Sequence, residues 1–155
     1  MINAQNLDYN VALPPTAVAS ATQASNPIDT LGYHYATIAV QSGPASAVTA
    51  PTALTLLESD QIAGPYTPAP GFRGGAAVDA THDFVLPNGS TAVGGSVYAA
   101  FNIDTRRRKR FLKLSLTNTV TQTVTVLALL SRADQTPVGT TTPGNVGVAG
   151  IVITA

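Results

Sequence analysis

Short runs of β-branched, aliphatic and aromatic residues recur along this chain, broken by Gly, Pro or Asn about every ten residues, and no segment sustains a 3.6-residue apolar period. That pattern argues against a helical bundle and predicts an all-β fold. With 155 residues the chain has the size of one domain. About seven to eight strands are expected, enough for an antiparallel two-sheet sandwich of jelly-roll or Greek-key type.

The individual strands follow from two-residue alternation. In Leu31 to Gln41, His34, Ala36, Ile38 and Val40 share one side and Tyr33, Tyr35, Thr37 and Ala39 the other, with the Ile38 and Val40 side as core. Ala53 to Glu58 places Leu54 and Leu56 together. Asp83 to Leu86 and Ser96 to Asp104 are further strands, separated by the Asn88-Gly89 turn and Gly94-Gly95. Ser59 to Gly75, rich in Gly and Pro, reads as a long connection. Arg110 to Thr117 and Thr123 to Ser131 read as the clearest supersecondary unit, a hairpin of two strands of opposite polarity joined by a polar turn around Asn118 to Gln122, the first strand with Leu112, Leu114 and Leu116 inward. Val148 to Thr154 is a final strand. Residues 1–30, with Pro14-Pro15 and the Ala, Ser, Thr and Asn stretch Ser20 to Asp29, read as an extended N-terminal arm, and residues 31–155 as the β-sandwich domain.

Composition narrows the chemistry. There is no cysteine, which rules out disulfides, zinc-thiolate sites and thiol nucleophiles. Only 10% of residues are charged, eight basic against eight acidic, while 45% are hydrophobic. Such a neutral surface favours association over disorder. The N-terminus lacks a basic segment followed by an apolar run, and no stretch approaches the roughly 18 apolar residues needed to span a bilayer, so the expectation is a protein made in a cytoplasm and not bound to membrane.

Candidate catalytic groups are few. His34 lies between two tyrosines and is expected to be structural. Asp79, His82 and Asp83 bring two carboxylates and an imidazole together, a set short of what magnesium, calcium or zinc sites require. Glu58 and Asp60 flank Ser59 at a strand end, which could suit glycosidase-like acid–base work but more simply makes a turn. The glycines at 71, 74 and 75 match no phosphate-binding loop. No enzyme, cofactor or metal is expected.

The strongest charge feature is Arg106-Arg107-Arg108-Lys109-Arg110, which with Lys113 holds six of the eight basic residues. It could be a solvated strand entry, a patch that pairs carboxylates on a protein partner, or a nucleic-acid contact. The balanced charge elsewhere argues against nucleic acid, so Arg106, Arg107, Arg108, Lys109 and Arg110 are the candidate partner-binding residues.

Leu-Thr-Leu-Leu-Glu-Ser-Asp from Leu54 to Asp60, Ala63-Gly64-Pro65-Tyr66, and Arg-Lys-Arg-Phe-Leu-Lys-Leu from Arg108 to Leu114 together resemble small structural proteins of tailed bacteriophages, in particular the head decoration, or cement, family. The resemblance covers about Leu31 to Ser131. It implies a β-sandwich in the virion, on the outside of the capsid, that binds the major capsid protein, stabilises the lattice and often forms a homotrimer. The competing expectation is a tail or fibre component, or a carbohydrate-binding receptor module with a platform at Tyr33, Tyr35, Tyr66 or Tyr98.

Overall fold

The structure, a computed structural model, describes residues 7–19, 21–45, 51–86 and 97–133. These residues form an all-β sandwich, and no α-helix occurs among them. Ten strands follow in chain order: β1 (Leu7–Val18), β2 (Thr22–Ala24), β3 (Ile28–Asp29), β4 (Tyr33–Ala45), β5 (Ala53–Ser59), β6 (Thr67–Gly75), β7 (Phe84–Val85), β8 (Val97–Asp104), β9 (Phe111–Thr117) and β10 (Gln122–Ala133). One sheet has the order β1-β10-β4-β8, antiparallel throughout. The other runs β2-β9-β5-β6-β7 with β3 also on β9, and only its β6–β7 pair is parallel.

Alternation places the core. Ala36, Ile38 and Val40 of β4, Leu54 and Leu56 of β5, Phe101 and Ile103 of β8, and Leu112, Leu114 and Leu116 of β9 are all buried in one cluster with Val124, Val126, Ala128 and Leu130 of β10. Removing these side chains from water is the main favourable contribution to folding in a chain without cross-links.

Three expectations need correction. The segment read as an arm, 1–30, is strand over much of its described part: β1 pairs with β10, β2 and β3 pair with β9, and Ala12, Leu13, Val18 and Ile28 are core. Its alternation is broken by register shifts between Val11 and Leu13 and between Leu13 and Thr16, which is why it does not read as a strand. Ser59 to Gly75 is not one long connection, because its second half is β6. Pro68 and Pro70 fit there because β7 reaches β6 only at Gly74 and Gly75, leaving the proline half on an edge among the described residues.

The third correction concerns β9 and β10. They do not pair with each other, since β9 bonds to β5, β2 and β3 while β10 bonds to β1 and β4. The turn between them carries the chain from one sheet to the other, so their apolar sides meet across the core instead of lying side by side. Alternation marks an inward face in both arrangements and cannot tell them apart. The expected strand Val148 to Thr154, the Asn88-Gly89 turn and Gly94-Gly95 lie outside the described residues.

Candidate interaction site

The basic run does not enter a strand directly. Asp104 ends β8 and caps a 3-10 turn, Thr105–Arg107, by accepting from the Arg106 backbone N–H, and buried Thr105 donates its hydroxyl to the Tyr33 carbonyl. From there the chain crosses to the other sheet, and β9 starts at Phe111. The run is thus laid over one end of the sandwich.

Each cation but one meets a carboxylate of the same chain. Arg106 forks onto Asp104 at 2.9 and 2.7 Å, and Arg110 onto Asp29 at 2.9 and 2.7 Å. Arg108 lies 3.8 Å from Glu58, and Lys109 lies 3.9 Å from Asp60. The acidic strand end and the basic run, 46 or more residues apart in sequence, are one cluster, because β5 and β9 are neighbours with Glu58 opposite Leu112 and Ser59 opposite Phe111. Ser59 is buried and accepts from the Gln61 backbone N–H, making the expected turn. The two carboxylates of the suggested acid–base pair therefore face basic partners.

Arg107 differs from its neighbours. It is exposed, and among the described residues no hydrogen bond or ion pair engages its side chain, although its charge helps hold the Asp104 carboxyl down.

Arg108 is the structural member of the run. Its guanidinium lies 5.0 Å over the Phe72 ring and donates to the Pro70 carbonyl, and the Glu58 Oε2 that it neutralises is buried without a hydrogen bond. Arg108→Ala strands that carboxylate. A clear fall in urea midpoint is expected for Arg108→Ala and none for Arg107→Ala. Equal midpoints would show that Glu58 finds its compensation elsewhere.

The loop before β7 is a second self-contained cluster. Arg73 forks onto Asp83 at 2.9 and 2.7 Å, and Asp79 accepts from the Thr81 hydroxyl and from the Thr81 and His82 backbone. His82 Nδ1 is within 3.0 Å of both Asp79 and Thr81, so hydroxyl and carboxylate share one ring nitrogen. A relay would need them on opposite nitrogens. No three His, Cys, Asp or Glu side chains are placed to hold a metal among the described residues. His34 lies half-buried at the start of β4.

The forks set a pH dependence. Arg73 holds the Asp83 carboxyl down at about 2, and Arg106 does the same for Asp104. An unfolded aspartate titrates near 4, so the contribution of each pair is complete above about pH 4 and is lost as pH falls toward 2. Asp83→Asn is expected to lower the urea midpoint at pH 7 and to converge with the parent protein near pH 2. A deficit that persists undiminished in acid would remove the ion pair as its cause.

Of the proposed aromatic platform, Tyr35 lies between Arg106 at 5.5 Å and Arg132 at 5.0 Å, Tyr66 lies under Lys113 at 4.7 Å, and Tyr33 packs against the core. The Tyr98 side chain lies outside the description. Cations on Tyr35 and Tyr66 leave less ring face for stacking a sugar.

Sequence reasoning missed the outward side of the four-stranded sheet. Register places Val11, Leu127, Ala39 and Ala100 in one row across all four strands, with Tyr9, Leu129, Thr37 and Asn102 in the next. Leu127 is 37% exposed and Tyr9 41%, whereas Val126 and Ala128 beside Leu127 are buried. The available signal was Val126-Leu127-Ala128-Leu129-Leu130, apolar on both sides of a strand, a pattern typical of strands covered on both faces. In comparisons with protein-family models, curated proteins and solved structures, the chain matches none.

Proposed function

We propose that the chain is a non-catalytic virion protein that binds the outer surface of a tailed-phage head, contacts the major capsid protein and stabilises the lattice, as the decoration family does. The observation that carries this reading is the convergence of the resembling segments. Leu54–Asp60, Ala63–Tyr66 and Arg108–Leu114 are joined by β5–β9 pairing, the Arg108–Glu58 and Lys109–Asp60 contacts, and Lys113 over Tyr66. An end whose cations are mostly paired within the chain, on a disulfide-free sandwich, suits a part that must keep its shape while many copies add weak contacts.

Self-association as a trimer belongs to the same proposal. Side-chain-resolution microscopy of purified particles, with light scattering of the isolated protein, tests both. The expected result is density for the sandwich on the head exterior and a trimer mass. Density confined to the tail overturns the head assignment, and a monomer both in solution and on particles overturns the trimer.

A further inference from the structure

We infer that the outward side of the four-stranded sheet docks onto a protein surface that is apolar at its centre and carries carboxylates at one border. This rests on the head-surface reading and identifies the face and the chemistry of the capsid surface opposite it. Three observations carry it.

The first is the face. Leu7, Tyr9 and Val11 of β1, Leu127 and Leu129 of β10, Ala39 of β4 and Ala100 of β8 all project from it by register. Within these rows the polar pair Thr37 and Asn102 satisfies itself through a 3.0 Å hydrogen bond, and the face turns polar beyond Leu127 and Ala39 at Thr125 and Gln41.

The second is the border. The next row of the sheet, Leu7, Ser131, Tyr35 and Asp104, ends, among the described residues, in a surplus of positive charge. Arg106 and Arg132 flank Tyr35, Arg107 acts on Asp104, and Asp104 is the one carboxylate beside these three arginines among the described residues. Arg132 holds a left-handed backbone, φ 53°, unusual for a side-chain-bearing residue, while its guanidinium lies over the ring. Among the described residues neither Arg107 nor Arg132 has an ion pair. Guanidinium groups held beside an apolar face suit carboxylates at an interface rim, where they guide and orient docking.

The third observation argues against a second copy as the occupant. Seven of the eight acidic residues are described, Asp134 lying outside. Asp29, Glu58, Asp60, Asp83 and Asp104 face basic partners, Asp79 faces His82, and Asp8 lies opposite buried Leu130, on the inward side. Among the described residues of another copy only Asp8 lacks a cationic or imidazole partner, and it points inward from β1, so that copy offers Arg107 and Arg132 little to pair with. The trimer contact then lies elsewhere on the sandwich.

The chain has no cysteine, so Leu127→Cys introduces a single maleimide-reactive site in the full-length protein, with Gln61→Cys in the exposed turn after β5 as control. Both are labelled free in solution and bound to purified heads stripped of the protein. Leu127→Cys is expected to react readily when free and at least about tenfold more slowly on heads, because an interface core excludes solvent, while Gln61→Cys reacts in both states. In the otherwise native chain, Arg107→Glu with Arg132→Glu is expected to weaken head binding about tenfold or more and to flatten its salt dependence, with the urea midpoint kept. If the native protein does not bind heads, the function reading fails and this inference falls with it. If it binds while Leu127→Cys stays equally reactive, or the charge reversal is silent, the inference alone fails. Protection in the free protein also overturns it: concentration-dependent protection makes the occupant a second copy, and concentration-independent protection makes it the chain's own residues.

Discussion

Leu114→Ala is expected to lower the unfolding free energy by about 2 to 5 kcal/mol, the range for truncating a large buried aliphatic side chain. Leu114 is 1% exposed and lies opposite Leu56 in the middle of β9, the strand to which β5, β2 and β3 all bond. Its backbone is pinned as well, the N–H donating to the Ser25 hydroxyl and the carbonyl accepting from the Ser25 N–H. The site therefore cannot collapse easily around a missing isobutyl group, and the cavity adds to the lost transfer energy. Urea melts with an unchanged m-value would measure it. A loss below about 0.5 kcal/mol, the size of an ordinary surface substitution, would mean that β9 presents its other face to the core.

Gly74→Ala is the second large effect, about 1 to 3 kcal/mol, and arises from overfilling. A Cβ on Gly74 would stand 2.6 Å from two Phe84 ring atoms and 2.8 Å from Leu86 Cδ2. Phe84 cannot swing away freely, since it packs edge-on against Phe101 at 5.8 Å, as Phe72 also does. The Phe84→Leu background should make Gly74→Ala milder, because the smaller side chain frees the space, and the double-mutant cycle reports that coupling. Additive losses would show that the alanine methyl does not meet Phe84. Gly75 is under similar pressure from His82, whose ring lies over it, so the consecutive glycines seat β7 and its preceding loop against β6.

Strands whose two sides differ were legible in the sequence. Ala36, Ile38 and Val40, Leu54 and Leu56, and Leu112, Leu114 and Leu116 recur at every second position, mostly with polar or smaller residues between them, and all are core. β1 and β6 were hidden by bulges and prolines, features that a sheet tolerates at its margins and that read as loop in isolation. The candidate site was half legible. The basic run stands out by composition, but its carboxylates come from β3, β5 and β8, and only strand pairing could show that Arg108 and Glu58 belong together while Arg107 does not. Arg132, isolated in sequence, joins the same end only because Ser131 lies opposite Tyr35.

The order β1-β10-β4-β8 also constrains how the chain comes to be folded. Leu7 pairs with Ser131, and β10 sits between β1 and β4, so the first described strand has no place in its sheet until the last described strand has left the ribosome. Until then β1 and one edge of β4 wait with unbonded backbone and apolar side chains, and two long closures, the one to β1 spanning more than a hundred residues, must be made when β10 arrives. A nascent chain halted before Gln122 would carry the six-stranded sheet's main partners, β5 and β9, yet lack the strand that joins β1 to β4. Such intermediates are aggregation-prone at high synthesis rates, so chaperone capacity during translation, more than the stability of the finished sandwich, would set the yield of folded copies.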